Sequence, residues 1–151
     1  MKIELKPVAF VRNVRTKPID DEWSSVVSHI ILAPDIPHSA LQGIKEFSHL
    51  EIIYYFDQVI KQEIVYENHP RGNTNYPKVG IFAQRKKDRP NQLGICTVEL
   101  IQLDGNQLTV KYLDAIDGTP VLDIKPVLRE FEPQSSIRQP DWATDLMKHY
   151  W

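Results

Sequence analysis

The dipeptide Asp104-Gly105 is the strongest single constraint on what this chain can fold into. Asp-Gly supplies the positive-φ turn of a tight hairpin, and residues 93–103 and 108–113 on either side of Asp104-Gly105-Asn106-Gln107 carry the patterning of two antiparallel strands. Other stretches are β-rich as well. Residues 3–12 and 26–33 mix alternation with β-branched and aromatic side chains, and Pro7 marks the first as an edge strand or a bulge. The run Leu50-Glu51-Ile52-Ile53-Tyr54-Tyr55-Phe56 is apolar on both faces, as in a strand buried on both sides or set in a barrel wall. Loops rich in Pro, Gly and Asn separate these runs at 66–78, 85–92 and 117–120.

Helix is scarce by comparison. A short turn is expected at 37–46, with Pro37 at its first helical position. A terminal helix is expected at 140–149, where Trp142, Leu146 and Tyr150 recur as an apolar stripe. With no internal repeat and no linker, residues 1–151 form one domain, a small barrel or strongly curved sheet ending in a helical tail at about 140–151.

Charge and cysteine content narrow the class. A net charge of −2 argues against a protein that coats nucleic acid indiscriminately. The single cysteine, Cys96, fits a reducing, cytoplasmic compartment. No apolar run is long enough for a membrane helix, and the N-terminus is not a secretory signal. Charge is clustered, however: Lys78, Arg85, Lys86, Lys87 and Arg89 oppose an acidic block at Asp20, Asp21 and Glu22.

Three stretches are dense in chemistry-bearing residues. Residues 80–94 run a strand into a charged loop shaped by Pro90, Asn91 and Gly94. Residues 113–126 set Asp114, Asp117 and Asp123 around a Gly-Thr-Pro turn. Residues 68–73 carry His69 and Arg71. Plainer readings stand beside these. Asp117 can serve only the turn, and Arg85 or Arg89 can pair with Asp114 or Asp123 as structural ion pairs. His69 reads as a loop histidine, Cys96 as a small buried apolar residue, and Trp142 and Trp151 as packing anchors. No glycine-rich dinucleotide motif, P-loop or nucleophile elbow is present, and the His, Cys and Asp spacing predicts no metal site.

In combination these stretches resemble the TsaA-like (TrmO-type) family of proteins that bind S-adenosylmethionine (SAM). Its best-known branch methylates N6 of threonylcarbamoyladenosine beside the tRNA anticodon. The resemblance rests on Phe47-Ser48-His49-Leu50, on Val79-Gly80-Ile81-Phe82-Ala83, on Arg85 with Arg89-Pro90-Asn91 and Gly94, and on Asp114 with 117–126. It spans roughly residues 5–130. The family implies a mainly β fold, a small closed or nearly closed β-barrel, here with a short C-terminal helix. It also implies a homodimer with SAM near the subunit interface. Carried over by position, Asp57, Gln58, Arg85, Ile95, Leu113 and Asp114 would contact the cofactor, and Arg89, Asn91, Asp117, Thr119 and Asp123 would support or complete the pocket.

A SAM-binding site needs carboxylates, a guanidinium for the ligand's own carboxylate, and apolar or backbone contacts for the purine. On that reading methyl transfer is direct and in line, with Asp117 as the candidate base. Arg71, Lys78, Lys86 and Lys87, with Arg85 and Arg89, would face tRNA phosphates. The chain departs from the tRNA-modifying branch in several places, with Lys86-Lys87-Asp88 where more neutral residues stand and Gln92 where Pro is common. Lys17-Pro18-Ile19-Asp20-Asp21-Glu22-Trp23 stands where that branch carries a Pro-Arg-Gln-type segment, and only a helix follows the barrel, as in a short form lacking the branch's extra C-terminal domain. A non-catalytic SAM- or RNA-binding module and a methyltransferase acting on a small molecule are the alternatives.

Overall fold

The computed structural model describes residues 1–60 and 63–151. Six antiparallel strands close into a barrel in the order β1-β2-β7-β6-β3-β8, and two short strands, β4 and β5, pair outside it. The barrel strands are β1 (Ala9–Arg12), β2 (Val27–Leu32), β3 (His49–Tyr55), β6 (Leu93–Asp104), β7 (Gln107–Lys111) and β8 (Pro120–Pro126). The outer pair is β4 (Glu67–Asn68) and β5 (Val79–Gly80).

The hairpin forms where the Asp-Gly signal puts it. Asp104 pairs with Gln107, and Gly105 takes φ 60° in the two-residue loop between them. On β3, Leu50, Ile52 and Tyr54 point inward and are buried, while Glu51, Ile53 and Tyr55 line the outer wall half-covered. β3 is central to closure, since it pairs with β6 from His49↔Glu99 to Tyr55↔Leu93 and with β8 on its other edge.

Inward side chains from every barrel strand make one core. Ile30, Leu50, Ile52, Val98, Leu108, Val110 and Val121 are fully buried, joined by Leu113 from beyond β7. Each such aliphatic side chain contributes about 1.5–3 kcal/mol relative to leaving it in water. The buried Ser28 hydroxyl is satisfied by the Asn13 amide at 2.9 Å.

Three boundaries differ from the sequence expectation. The strand expected over 3–12 shrinks to Ala9–Arg12, because Pro7 has no N–H to give the ladder; pairing starts with the Val8 amide on the Val121 carbonyl at 2.8 Å. The turn expected at 37–46 is two 3₁₀ turns, His38–Leu41 and Ile44–Glu46, separated by Gly43 at φ 83°. Pro37 stands before the first of them, at its N-cap, with extended backbone. The terminal helix, α1, is Asp141–Leu146, shorter than 140–149; Trp142 and Leu146 are half-covered on it, and Tyr150, half-covered too, lies beyond its end. No helix among the described residues is long and apolar enough to cross a membrane.

Candidate functional site

The site is assembled where the chain leaves β7. Tyr112 adopts φ 64°, a conformation that costs a bulky residue about 1–3 kcal/mol and therefore has to be held in place. Cys96 on β6 supplies one hold, its thiol donating to the Tyr112 carbonyl at 2.9 Å. Leu113, fully buried in the core, supplies another. The turn delivers Asp114 to the barrel rim, where two phenols meet its carboxylate. Tyr54 donates to Oδ1 at 2.6 Å, and Tyr150 of the C-terminal tail donates to Oδ2.

Burial first, and then the Asp114 charge and hydrogen bond, raise the pKa of Tyr54 and of Tyr150 above the ordinary phenol value. Burial, with the Asp114 charge next, also pushes the Cys96 thiol up. Both phenols and the thiol are therefore protonated donors at neutral pH, and Cys96 is a packed neutral group as the sequence suggested.

Arg85 lies on the same side. Its Nη2 donates to the Ile95 carbonyl at 2.5 Å, and its charge reaches both Cys96 and Tyr150, opposing their upward shifts. The expected ion pairs of Arg85 or Arg89 with Asp114 or Asp123 do not form. Arg89 donates instead to the Gln84 carbonyl at 2.6 Å, bracing the 84–89 loop, and Asp123 pairs with Lys125 at 2.9 Å on the outside of β8.

A second part of the rim adjoins this one. Asn91 and Gln92 take φ 62° and 51° in the turn before β6. The Gln92 side chain accepts from Tyr55 Oη and donates to the Phe56 carbonyl, each at 3.1 Å, so it ties that turn to the end of β3. Exposed Asp57 and Gln58 follow directly. Asp117 and Thr119 belong to a third part, latched onto β1. Asp117 Oδ1 accepts the Asn13 amide at 3.1 Å, its Oδ2 lies 3.7 Å from Arg12, and the Gly118 amide donates to Val11. Thr119 is buried, and its carbonyl receives the Val11 amide.

The structure thus bonds Arg85 to Ile95, links that pair to Leu113 and Asp114 through Cys96 and Tyr150, sets Asp57, Gln58, Arg89 and Asn91 alongside, and leaves Asp123 on the outer face without a hydrogen bond to the group. Of the basic residues, Lys78 is exposed, Lys86 pairs with Asp88 at 3.5 Å, and Lys87 has no acidic partner at ion-pair distance among the described residues. Arg71 is turned the other way, with its guanidinium forked onto Asp21 at 3.0 and 3.3 Å and 3.8 Å from Asp20. His69 is the loop histidine expected, bonded to the Tyr76 carbonyl at 2.7 Å. No group of three His, Cys, Asp or Glu side chains among the described residues could hold a metal ion.

Tyr54, Tyr112 and Tyr150 escaped sequence reasoning as site residues. Only Gly94 hinted at one of them. A Cβ there would lie 2.4 Å from Cε2 of Tyr54, so the glycine records that ring's position.

Several known proteins are similar to this chain. Residues 11–132 match the family described as the tRNA-methyltransferase O N-terminal domain. A probable S-adenosyl-L-methionine-binding protein of Pyrococcus abyssi is 39% identical over 98 residues, 65% of this chain and 51% of that protein. Another, of Methanothermobacter thermautotrophicus, is 36% identical over 136 residues, 87% of this chain and 95% of that one. The tRNA (adenine(37)-N6)-methyltransferase of Mus musculus is 33% identical over 112 residues, 67% of this chain. The chain spans 23% of that methyltransferase's length, and about half of the Pyrococcus protein's. The crystal structure of TrmO from Pseudomonas aeruginosa superimposes with a TM-score of 0.74 at 24% identity over 91% of this chain and 61% of that one, a likeness of fold. With the family match running through the barrel and every strand of the site, this chain belongs to the tRNA-methyltransferase O N-terminal domain family.

Proposed function

We propose that this protein binds SAM at the rim formed by Arg85, Ile95, Leu113 and Asp114 and transfers its methyl group to N6 of an adenosine in tRNA, with a threonylcarbamoyladenosine-type nucleoside as acceptor. The observation that carries the reading is the Asp114 carboxylate, fixed by two phenols beside the Arg85 guanidinium. Opposite charges at one rim suit a ligand that is itself part cation and part zwitterion. Exposed apolar groups, Ile95 and Tyr112, stand beside them to meet a purine. The donor set therefore fits the cofactor. Two relatives are named for SAM binding and a third for tRNA adenine-N6 methylation, which supports the same assignment.

When bound, SAM supplies an electrophilic methyl on a sulfonium. The protein's part is to orient and to exclude water. Asp114 and Arg85 hold the ligand's polar ends, and the packed Tyr54–Cys96–Leu113 wall keeps that side of the rim dry. Asp117 is the carboxylate assigned to take the N6 proton, since its Oδ2 is engaged only by Arg12 at 3.7 Å. Lys78, Lys86 and Lys87 would attract phosphates, and Arg71 would have to share its guanidinium with Asp20 and Asp21. The same reading includes a homodimer: Leu93, Ile95 and Tyr112 are apolar and outward-facing beside Arg85, a stripe for a second copy to cover.

Calorimetry with SAM, followed by incubation with total tRNA and assay of S-adenosylhomocysteine, tests this function. Binding with tRNA-dependent turnover is the expected result. Binding without turnover on any RNA would replace the enzyme with a SAM-binding module, and a folded protein that binds no SAM would end both readings. Light scattering on the eluted peak reads the dimer.

A further inference from the structure

The family match ends at residue 132, yet the last residues of the chain return to the site. Their path is moored at several points. The Glu22 and Trp23 amides donate to the His149 and Tyr150 carbonyls, both at 2.9 Å. Tyr76 donates to Asp145 at 2.6 Å and packs against Trp142 with ring centroids 6.3 Å apart. The strip that receives the tail is itself cross-braced. Arg15 lies 4.4 Å above the Trp23 ring and bonds the Asp21 and Glu22 carbonyls at 3.0 Å each. Tyr150 is thus brought to Asp114 by backbone pairing, with its ring 5.0 Å from that of Trp151.

Carboxylate geometry gives this contact a consequence. One hydrogen bond leaves the group free to swing about its last torsion, whereas two donors from opposite sides fix both oxygens. Each ionised oxygen keeps a second lone pair for another donor. A ligand then meets an acceptor that is already aimed, and less ordering is left to oppose binding.

We propose that Tyr150 is a positioning residue of the SAM site, acting through Asp114 by holding Oδ2 while Tyr54 holds Oδ1. The tail is on this view a working part of the pocket wall, and the inference rests on the reading that Asp114 faces SAM. Burial and the Asp114 charge keep the Tyr150 phenol protonated, so it remains a donor across the neutral range.

A double-mutant cycle tests it. SAM affinity is read for the native protein, Tyr150→Phe, Asp114→Asn and the double variant from the rise in Tm with added ligand, at concentrations up to about 10 mM so that weak binding is still measured. Tyr150→Phe should weaken SAM binding about five- to tenfold, with a fall in ligand-free Tm of a few degrees at most. It should have no further effect once Asp114 is Asn, because one amide oxygen cannot accept from both phenols and the two-point hold is gone. A merely structural brace would give losses that add. Additive losses, native affinity in Tyr150→Phe, or tighter binding because the phenol had been blocking the site would each overturn the proposal while leaving SAM binding intact. A native protein whose Tm does not respond to SAM would instead overturn the functional reading, and this inference with it.

Discussion

The ring of Tyr54 occupies the space in which Gly94 would carry a side chain: a Cβ at residue 94 would come within 2.4 Å of Tyr54 Cε2 and 3.0 Å of Phe56 Cζ. The two residues are register partners, Tyr54 on β3 and Gly94 on β6. Because neither strand can retreat from a closed barrel, Gly94→Ala must push the Tyr54 ring, and its hydroxyl must leave Asp114. We expect a loss of about 1–3 kcal/mol, seen as a Tm lower by roughly 3–10 °C, together with weaker SAM binding. An alanine variant with native Tm and affinity would show that the ring is not held against this glycine.

Phenol ionisation offers a pH test. Tyr54 and Tyr150 are raised by burial and then by Asp114, and Tyr76 by its hydrogen bond to Asp145. A phenol whose folded pKa lies above its unfolded value of 10.0 contributes stability that is complete below that pH and lost as pH rises past it. Three of the six tyrosines should therefore ionise late when absorbance is followed near 295 nm, and denaturant stability should fall from about pH 10 upward. In Asp114→Asn two of the late phenols should titrate earlier. Six coincident titrations near the ordinary value would contradict the site geometry.

Asp117 separates a structural role from a chemical one. Asp117→Ala removes the acceptor of the Asn13 amide and should cost about 1–2 kcal/mol in urea melts. Asp117→Asn keeps an acceptor in that position, so its stability should be near native while methyl transfer falls by at least about 100-fold. An Asn variant that methylates at the native rate would remove Asp117 as the base and leave it the turn residue.

The fold was legible where the determining signal is local. Asp104-Gly105 specifies a turn by its own dihedral preferences, and the alternation of Leu50, Ile52 and Tyr54 specifies which side of β3 faces inward. Charge type and family pattern marked Arg85 and Asp114. What stayed hidden depends on distance along the chain. Tyr150 and Asp114 are 36 residues apart and Arg71 and Asp21 are 50 apart, so no window of sequence contains either pair. Tyr112 was hidden for another reason. A bulky residue at φ 64° runs against its own preference, and the holds that keep it there, the Cys96 thiol, the buried Leu113 and the Trp151 ring, are distant in sequence or invisible in pattern.

The basic residues should not be equivalent. Lys87→Glu, with no acidic partner to release, should weaken tRNA binding and lower the slope of log affinity against log salt by about 1–2. Arg71→Ala should leave that slope nearly unchanged and cost at most about 1 kcal/mol of stability, since its guanidinium is engaged by Asp20 and Asp21. Filter binding at several salt concentrations measures both. A steeper loss for Arg71 than for Lys87 would mean the acidic block yields its arginine to RNA.

The barrel's ring is uneven. β1 and β8 meet over two register pairs, Ala9↔Val121 and Phe10↔Pro120, whereas β3 and β6 share seven from His49 to Tyr55. Pro120 brings no amide of its own to the shorter seam, and the Asp117-Gly118 latch on Asn13, Arg15 and Val11 finishes the closure. By register pairs this is the most sparsely laddered seam of the barrel, and the β3–β6 wall is the most fully laddered. The loop that carries Asp117 is fastened to the barrel's sparsest joint, and the one that carries Asp114 is sewn to its densest wall.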